Sequence, residues 1–473
     1  MPETSNLNIA VIGGGPGGYA AAFLAADLGM KVTLIDPEQN PGGVCLYRGC
    51  IPSKALLHIA KLIDESRHAK NWGIEFGEPK IDIARLRSFK EGIVSKLTGG
   101  LGQVSKIRKV QYVRGNAAFE NSSTLRVIKD GAGEEKLSFD RIVIATGSRP
   151  AVIPALKLES PRMLDSTSAL DLKDIPGTLL VIGGGYIGLE LGTVYAALGS
   201  KVSVVEMTAG LLPGADRDLV LPLHKRLEKS FESILLNTTV TAVKEESNGI
   251  RVSFDGKDVK EREKVFDKVL VSVGRKPNSE IPGLDRTQVR VGQRGFIQVN
   301  KHLQTNDPAI YAIGDVVGEP MLAHKASHEG RTAVEHIAGH KVAFEPNAIP
   351  AVVFTDPEIA WAGLTETQAA NENRVVKVAK FPWAASGRAV TLDRIEGMTK
   401  LVIDPATERV LGVGIVGAGA GELIAEGTLA IEMAALAKDV ALTIHPHPTL
   451  SETVMQSAEV FFGTSTDLYR PKR

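Results

Sequence analysis

Residues 11–36 read VIGGGPGGYAAAFLAADLGMKVTLID, and residues 181–206 read VIGGGYIGLELGTVYAALGSKVSVVE. The two segments align without a gap, with residue 11 opposite residue 181. Each passes from an apolar strand through a glycine-rich turn and a helix to a second strand that ends in an acidic residue. This is the arrangement of a dinucleotide-binding unit, in which the turn and the start of the helix hold a pyrophosphate. The chain is therefore predicted to contain two nucleotide sites.

Each of the three glycines and the closing acid in such a unit has a defined task. The first two glycines permit a tight turn and the close approach of a pyrophosphate, the third lets helix and strand pack, and the closing acid holds a ribose diol. These tasks fall to Gly13, Gly15, Gly18 and Asp36 in the first unit and to Gly183, Gly185, Gly188 and Glu206 in the second. A third triplet, Gly412, Gly414 and Gly417, lacks a closing acid and is predicted to be strand and loop.

The acid that closes the second unit indicates which coenzyme binds there. A carboxylate that accepts hydrogen bonds from the ribose hydroxyls repels a 2′-phosphate. The residues that follow Glu206, Met207 to Gly210, include no arginine that could neutralise such a phosphate. The second site is therefore predicted to prefer NAD over NADP.

Both cysteines of the chain lie in one six-residue segment, Cys45-Leu46-Tyr47-Arg48-Gly49-Cys50. A regular helix would hold their Cα atoms about 8–9 Å apart, beyond the roughly 4.4–6.8 Å that a disulfide spans, so a loop or a distorted first turn is expected. A helix is predicted to start at Ile51, where its positive end and Lys54 favour a Cys50 thiolate. A disulfide here would close too small a loop to stabilise the fold much, which favours a redox-active dithiol.

The two cysteines allow two other interpretations, buried reduced thiols or a zinc site. Two buried, reduced cysteines of a cytosolic protein would look similar in composition. A zinc site is disfavoured because no second cysteine pair or histidine pair stands at ligand spacing. Two nucleotide sites beside one dithiol indicate an electron relay, and the usual carrier between a thiol couple and nicotinamide is a flavin.

Length and charge limit the class of protein. The 473 residues predict about three domains. The 55 basic and 55 acidic side chains cancel, which gives no electrostatic reason to expect nucleic acid or an anionic membrane as a partner. The uncharged run from Leu7 to Ala26 contains the glycine turn and follows no basic cluster, so it is interpreted as strand, turn and helix rather than as a targeting segment. With a labile dithiol, this predicts a cytoplasmic location.

Beyond Pro350 the chain changes character. Strand-like runs at residues 351–354 and 400–403 mix with a helical stretch predicted from Leu423 to Ala437. The segment 445–452, HPHPTLSE, then holds two imidazoles on a backbone stiffened by prolines. Thr449 and Glu452 also match a capping box, so a structural role for Glu452 stays open.

Taken together, these motifs resemble those of the dihydrolipoamide dehydrogenases, within the pyridine nucleotide–disulfide oxidoreductases, and the resemblance extends essentially from end to end. It is carried by the segments 43–54, 145–147, 314–315 and 447–452 and by the two glycine units. It implies an α/β fold with two Rossmann-like dinucleotide-binding domains and a C-terminal α+β dimerisation domain. The implied division is 1–150 and 281–349 for FAD, 151–280 for NAD, and 350–473 for the subunit interface of a homodimer.

The resemblance also assigns cofactor contacts. It implies that Asp315 binds the ribityl and pyrophosphate region of FAD, that Ala323 lies beside the flavin, and that Lys54 approaches the flavin ring with Glu190 as its partner. No metal site is expected. Further cofactor contacts are predicted at Gly43, Gly115, Ala117, Thr146, Gly147, Val240, Gly274 and Arg275.

The activity implied by the resemblance is oxidation of protein-bound dihydrolipoyl groups, with NAD as the final acceptor. Cys45 would exchange with the substrate and Cys50 would face the flavin. His447 of the opposite subunit, oriented by Glu452, would be the base. The expected partners are lipoyl domains of 2-oxo acid dehydrogenase or glycine cleavage complexes, and the sequence leaves open which of these. The alternative is a redox sensor, which has no need of a positioned base.

Some residues depart from the family pattern. Asp36 stands where Glu is commoner, Tyr47 and Arg48 where Asn and Val are frequent, and Pro446 where Ala is usual. Related enzymes fit less well: glutathione reductases need cationic groups for NADP, mercuric reductases carry an additional cysteine pair near the C-terminus, and soluble transhydrogenases do not need the dithiol. None of the departures removes a predicted catalytic group.

Overall fold

The computed structural model describes residues 7–129, 133–257 and 259–468. Within these residues, 22 strands form the sheets of the framework. They are β1 (Asn8–Ile12), β2 (Lys31–Asp36), β3 (Gln111–Asn121), β4 (Thr124–Lys129), β5 (Gly133–Ser138), β6 (Arg141–Ile144), β7 (Ser148–Pro150), β8 (Met163–Leu164), β9 (Thr178–Ile182), β10 (Lys201–Val205), β11 (Ser233–Leu235), β12 (Thr238–Glu246), β13 (Gly249–Gly256), β14 (Glu263–Phe266), β15 (Lys268–Val271), β16 (Arg275–Pro277), β17 (Ile310–Ala312), β18 (Ala351–Val353), β19 (Glu358–Gly363), β20 (Lys377–Pro382), β21 (Met398–Ile403) and β22 (Val410–Gly417).

Helices cover these sheets. They are α1 (Pro16–Asp27), α2 (Gly43–Arg48), α3 (Cys50–His68), α4 (Ile83–Ile107), α5 (Tyr186–Ala197), α6 (Arg217–Ser230), α7 (Ala323–Ile337), α8 (Glu366–Asn371), α9 (Gly387–Thr391), α10 (Ala420–Glu432), α11 (Ala437–Leu442) and α12 (Glu452–Phe462). Among the helices that the structure describes, none couples sufficient length with sufficient apolar character to traverse a bilayer.

The first glycine unit lies in a seven-stranded sheet with the order β17-β6-β1-β2-β3-β4-β5. β1 runs parallel to β2 and β6, and β17 runs parallel to β6. Ile9, Ala10 and Val11 of β1 are fully buried, as expected for a parallel strand that is covered on both faces. Because β17 comes from late in the chain, the sheet is completed by a segment that returns after the second glycine unit.

The second glycine unit builds its own five-stranded parallel sheet, with the order β11-β10-β9-β15-β8. An antiparallel sheet of β12, β13 and β14 packs beside it. β7, which precedes the second glycine unit in the sequence, pairs antiparallel with β16, which follows it, and the two form a two-stranded ribbon. The chain leaves the first sheet through one strand of this ribbon and returns through the other, so the ribbon is the junction of two Rossmann-like domains.

The C-terminal part forms an antiparallel sheet with the order β18-β19-β22-β21-β20, against which α10 and α12 pack. The third glycine triplet lies inside β22, which confirms its prediction as strand rather than nucleotide turn. An added Cβ at Gly417 would collide with the ring of Trp383, so this glycine serves packing. The predicted fold class, two Rossmann-like domains followed by an α+β domain, is confirmed.

The helix predicted from Leu423 to Ala437 is wrong at its C-terminal end. α10 stops at Glu432, and Ala434 adopts a left-handed φ of 54°. The reason is tertiary: the N–H of Val410 donates to the carbonyl of Ala435, and the N–H of Ala437 donates to the carbonyl of Glu408. The backbone of this segment therefore pairs with the start of β22 instead of continuing the helix.

A buried lysine ties the C-terminal sheet to the second Rossmann-like domain. Lys400 is 1% exposed, and its Nζ lies 2.7 Å from Asp216, 2.7 Å from Asp218 and 2.6 Å from Glu366. Burial alone would raise the pKa of Asp216, but hydrogen bonds from Lys400 and Thr367 lower it to about 2. The three carboxylates converge as metal ligands do, yet two lysines already pair with them: Lys400 with all three, and Lys380 with Asp218 at 2.6 Å and Glu366 at 2.9 Å.

Candidate active site

A cavity of about 660 Å³ extends from the first glycine turn to the two cysteines. It brings together residues from the ends of parallel strands, from the starts of α1 and α5, and from α2 and α3, so its wall is assembled from distant parts of the sequence. The predicted site residues that line it are Gly13, Gly15, Asp36, Gly43, Cys45, Cys50, Lys54, Gly115, Ala117, Thr146, Gly147, Glu190, Arg275, Asp315 and Ala323.

The first glycine turn has the geometry that its sequence predicts. Gly13 adopts a φ of +104°, which other residues rarely reach. The carboxylate of Asp36 accepts a hydrogen bond from the N–H of Gly14 at 2.5 Å and another from the N–H of Glu38 at 2.9 Å. Burial raises the pKa of Asp36. An added Cβ at Gly18 would collide with the carbonyl of Gly13, so Gly18 serves the helix–strand contact.

The second glycine turn repeats this geometry down to its hydrogen bonds. Gly183 has a φ of +105°, and Glu206 accepts from the N–H of Gly184 at 2.7 Å and from the N–H of Thr208 at 2.8 Å. Gly188 packs against the carbonyl of Gly183, as Gly18 packs in the first turn. Both closing acids are therefore fixed against their turns before any ligand arrives.

Two predicted contacts of the second unit differ in their surroundings. Val240 packs in the hydrophobic cluster that contains Ile182, the last residue before the glycine turn, and Val205, the last residue before Glu206. Gly274 lies in the loop before β16, with a φ of +122°. An added Cβ at Gly185 or at Gly274 would meet no atom within 4 Å, so both face open space. The coenzyme contacts at these residues stay predictions.

Glu206 provides a test of coenzyme choice. Its buried carboxylate would meet a 2′-phosphate as an uncompensated like charge, so we expect NAD to exceed NADP by orders of magnitude in kcat/KM. Glu206→Ala should narrow this gap, chiefly by weakening NAD, because the alanine also removes the acceptor for the ribose hydroxyls. Steady-state kinetics with both coenzymes measure the effect, and Glu228→Ala, at an exposed position of helix α6, is the control. Equal use of both coenzymes by the unmodified protein would contradict the assignment.

The two cysteines straddle a break between two helices. Cys45 lies in α2, Cys50 is the first residue of α3, and Gly49 between them has φ −144° and ψ −110°. The helix predicted from Ile51 therefore starts one residue earlier, and Cys45 lies in a short helix of its own rather than in a loop. The break is what brings the two side chains within hydrogen-bonding distance of each other.

The hydrogen bond between the cysteines separates their acidities. The Cys45 thiol donates to the sulfur of Cys50, and this bond, together with the charge of Lys54 and against the effect of burial, lowers the pKa of Cys50 to about 7. The same hydrogen bond and burial raise the pKa of Cys45 well above its usual range. Cys50 is therefore the thiolate of the pair near neutral pH, as its place at the start of α3 predicts.

Lys54 is held by groups from two other domains. Its Nζ lies 2.8 Å from Oε2 of Glu190 and 4.5 Å from the centre of the Phe354 ring. The N–H of Phe354 in turn donates to Oε1 of Glu190 at 3.0 Å. The Lys54–Glu190 pair is brought together as predicted. The hydrogen bond between Phe354 and Glu190 was not predicted, because no local pattern connects residues 164 positions apart.

Tyr47 and Arg48, which depart from the family pattern, contact the loop that follows Asp36. Arg48 forms an ion pair with Glu38, and the hydroxyl of Tyr47 donates to the carbonyl of Asn40 at 3.0 Å. The charge of Arg48 is therefore compensated within the loop that follows Asp36. This loop and the dithiol helix α2 are held together by these two side chains.

Asp315 is held by a neighbour that was not predicted. The hydroxyl of Ser148 donates to Oδ2 of Asp315 at 2.5 Å and accepts from Nε of Arg275 at 2.7 Å. Thr146 and Gly147 precede this serine, and the hydroxyl of Thr146 donates to the carbonyl of Asn278 at 2.7 Å. The only available sequence signal for Ser148 was its position directly after the predicted Thr146-Gly147 motif.

The histidine segment near the C-terminus lies apart from the cavity. Nδ1 of His447 lies 2.9 Å from Oε1 of Glu452, and Oε2 of Glu452 accepts from the N–H of Thr449 at 2.7 Å. Glu452 thus accepts from both His447 and Thr449, but α12 starts at Glu452 with Ser451 as its N-cap, so the capping box expected from Thr449 and Glu452 is not formed. The hydroxyl of Thr449 instead donates to the carbonyl of Pro446. Of the described residues that line the cavity, none comes from this segment.

The residues present fit a dinucleotide that carries a flat ring. The cavity is continuous from Asp36, past the first glycine turn, to Cys50 and Lys54. An added Cβ at Gly147 would meet no atom within 4 Å, so the wall is open there. The N-terminus of α7 adds Ala323 to the wall. FAD fits this cavity, with its nucleotide end at Asp36 and the first glycine turn and its flavin end at Cys50 and Lys54.

Comparison with known families gives two matches that together cover most of the chain. Residues 7–330 match the pyridine nucleotide-disulphide oxidoreductase family, and residues 349–458 match the dimerisation domain of the same family. The second match contains the exposed histidine segment described above.

Curated relatives match over the full length. The protein named dihydrolipoyl dehydrogenase from Haemophilus influenzae is 51% identical over 473 residues, which are 100% of this chain and 98% of the relative. Those of the same name from Vibrio cholerae and Geobacillus stearothermophilus are 50% and 44% identical, covering 100% and 98% of this chain and 99% and 97% of the relatives.

Solved structures share the fold. The crystal structure of LpdA from Mycobacterium tuberculosis superposes with a TM-score of 0.89 at 26% identity, covering 96% of this chain and 99% of that one. The HOCl-induced flavoprotein disulfide reductase RclA from Escherichia coli gives a TM-score of 0.84 at 28% identity, covering 94% and 98%.

Proposed function

This chain belongs to the pyridine nucleotide–disulphide oxidoreductase family, among the dihydrolipoyl dehydrogenases, and from that membership we propose that Cys45, Cys50 and His447 carry out its oxidation of dihydrolipoyl groups. The observation that supports these assignments best is the hydrogen-bonded Cys45–Cys50 pair on the wall of the cavity. Its unequal acidities suit a dithiol in which one sulfur exchanges and the other donates electrons.

The exchange step starts from a Cys45–Cys50 disulfide. A substrate thiolate attacks the sulfur of Cys45, the bond between the two cysteines breaks, and Cys50 leaves as a thiolate. The second substrate sulfur then attacks the first, which releases Cys45 and closes lipoamide as a cyclic disulfide. Two electrons have moved from the substrate dithiol to the cysteine pair. Cys50 is the better leaving group because its pKa is lowered to about 7.

The proton balance assigns a task to each remaining group. His447 takes the proton of the attacking substrate thiol and returns it to the sulfur of Cys45, whose raised pKa makes it the protonated member of the pair. The proton of the second substrate thiol is released to solvent. The reduced pair therefore ends as a Cys45 thiol that donates to a Cys50 thiolate, in keeping with the raised pKa of Cys45 and the lowered pKa of Cys50.

The cofactors extend this dithiol chemistry to NAD. FAD, when bound, supplies the two-electron step between a thiol pair and nicotinamide. Lys54, braced by Glu190, places a positive charge next to the Cys50 thiolate. The residues proposed to hold FAD are Gly13, Gly15, Asp36, Gly43, Gly115, Ala117, Thr146, Gly147, Asp315 and Ala323, and those proposed to hold NAD are Gly183, Gly185, Glu206, Val240, Gly274 and Arg275.

A second subunit completes the proposed site. The chain carries the family's dimerisation domain and pairs as a homodimer. His447 has a side chain that is 77% exposed, and large apolar side chains are exposed on the preceding elements of the same domain: on α10, at its C-terminal end, on α11 and after α11. They include Leu429, Met433, Leu442 and Ile444. Pairing through this face would bury them and would bring His447 to the partner's cavity.

The physiological substrate is proposed to be protein-bound. Lipoyl domains of 2-oxo acid dehydrogenase complexes or of the glycine cleavage system would present the dihydrolipoyl arm. We place the activity in the cytoplasm, since an exchange-labile dithiol suits a reducing compartment. The same proposal divides the chain into FAD-binding residues 1–150 and 281–349, NAD-binding residues 151–280 and interface residues 350–473.

The proposed substrate can be tested directly with the FAD-loaded protein. We expect reduced lipoyl domains to be oxidised with stoichiometric formation of NADH, measured at 340 nm, and free dihydrolipoamide to be oxidised as well. The matched control is the same domain without its lipoyl group, which should give no NADH. Reduction of an artificial acceptor by NADH without oxidation of either lipoyl substrate would contradict the proposal.

A further inference from the structure

Ser148 lies where three parts of the site meet. Its side chain is buried, with 2% of the residue exposed. The hydroxyl donates to Oδ2 of Asp315 at 2.5 Å and accepts from Nε of Arg275 at 2.7 Å, while Nη2 of Arg275 donates to the Ser148 carbonyl at 2.7 Å. A serine hydroxyl has one hydrogen to donate and lone pairs to accept with. Both capacities are used here, and the direction of each bond is fixed by its charged partner.

The three residues come from the two Rossmann-like domains and their junction. Ser148 is the first residue of β7 and Arg275 the first residue of β16, the two strands of the ribbon through which the chain crosses between the domains. Asp315 lies in the turn after β17, in the sheet of the first domain. All three line the cavity. One hydroxyl thus connects a carboxylate of the first nucleotide site with an arginine of the second domain.

We propose that Ser148 is a positioning residue that links the two cofactor sites, holding Asp315 for FAD and Arg275 for the nicotinamide coenzyme. This inference rests on the proposed function, because it takes the roles of Asp315 and Arg275 from it.

The physical reason is that the hydroxyl separates two opposite charges that would otherwise attract each other. A carboxylate and a guanidinium that are one hydroxyl apart form a bidentate ion pair when nothing lies between them. The carboxylate oxygens of Asp315 would then accept hydrogen bonds from Arg275 rather than from the cofactor, and Arg275 would move from its position at the junction. Ser148 prevents this direct pair and fixes both side chains at the same time.

The link predicts a joint effect on both cofactors. In Ser148→Ala, the apoprotein should bind FAD roughly 10- to 100-fold more weakly, which is the range for losing a hydrogen bond to a charged group. The dissociation constant for NAD, measured by calorimetry, should rise about fivefold or more. Fluorescence quenching of FAD on binding gives the first value without any measurement of activity.

Two matched variants separate positioning from a general loss of structure. Ser279→Ala removes another buried hydroxyl near the junction, one that donates to the carbonyl of Gly295 at 2.6 Å, and it should leave both affinities within about twofold of the parent. Ser148→Thr keeps the hydroxyl and should restore both affinities at least in part. In an Asp315→Asn background, Ser148→Ala should weaken FAD less than it does in the parent, because the direct ion pair can no longer form.

Three outcomes would overturn the inference. The first is that Ser148→Ala binds FAD and NAD as the parent does, and the second is that Ser279→Ala weakens them equally. The third is that the effects of Ser148→Ala and Asp315→Asn on FAD affinity simply add. If the unmodified apoprotein fails to bind FAD, the proposed function itself is wrong and the inference falls with it. That result is distinguishable because it appears before any variant is made.

Discussion

His447→Ala is expected to lower the rate of dihydrolipoamide oxidation roughly 10²- to 10⁴-fold, the usual contribution of a general base. Glu452 lies 2.9 Å from Nδ1 of His447, which keeps that nitrogen protonated and leaves Nε2 to accept the proton of the substrate thiol. Electron flow from NADH through the flavin to an artificial acceptor needs no such proton transfer. The ratio of the two activities, measured on one FAD-loaded preparation, isolates the role of the base.

The neighbouring histidine provides a matched control. Nε2 of His445 lies 2.7 Å from Glu426, and its Nδ1 lies 2.8 Å from the carbonyl of Thr443, so both ring nitrogens are already engaged. We expect His445→Ala to change either activity much less than His447→Ala does. Because the two residues share one proline-stiffened segment, a general disturbance of the segment would affect both variants alike.

Glu452→Gln should fall between the parent and His447→Ala in the lipoamide reaction. The glutamine can still accept the hydrogen bond from the N–H of Thr449, but it stabilises a protonated imidazole less than a carboxylate does. A cap alone would change thermal stability and leave kcat intact. If His447→Ala oxidises dihydrolipoamide at the parent rate, His447 is not the base. The protein is then better described as a redox sensor, in which His447 has no catalytic role.

The sequence predicts most reliably the features that depend on neighbours in the chain. Both glycine turns, with their closing acids Asp36 and Glu206, were predictable because turn, helix and strand follow one another within one unit. The structure extends the repeat further than the sequence could, since the two carboxylates accept from the equivalent N–H groups of Gly14 and Gly184. The cysteine spacing likewise excluded a regular helix through both residues, and the break at Gly49 follows from that.

Features that depend on distant segments could not be predicted from local pattern. The C-terminal end of α10 is set by the pairing of Ala435 with Val410, which no helix propensity records. The contacts of Ser148 with Asp315 and Arg275 span 167 and 127 residues, respectively. The resemblance to a family supplied the roles of Lys54, Glu190 and His447, whereas residue patterns alone supplied the chemistry of the dithiol and the nucleotide turns.

The second large effect is expected from exchanging the two cysteines for serine one at a time. Cys50→Ser should abolish the long-wavelength absorption that a thiolate next to bound oxidised flavin produces. Cys45→Ser should show this absorption without any reductant, because its Cys50 thiolate has no partner for a disulfide. Both variants should lose dihydrolipoamide oxidation to background, since each lacks one sulfur of the exchanging pair. Retention of the band in Cys50→Ser would mean that the roles of the two thiols are reversed.

The pH dependence of the same band tests why Cys50 is the thiolate. With a pKa lowered to about 7, the thiolate fraction, and with it the absorption of the half-reduced protein, should rise as the pH increases through about 7. The charge of Lys54 contributes to this lowering, so Lys54→Met should move the midpoint to higher pH. Lys61→Met, two turns further along α3 and paired with Glu65 at the surface, should leave the midpoint unchanged. If Lys54→Met leaves the midpoint unchanged, the hydrogen bond from Cys45 is the cause of the lowered pKa of Cys50. In that case Cys45→Ser, whose hydroxyl still donates a hydrogen bond, should keep the midpoint of the parent.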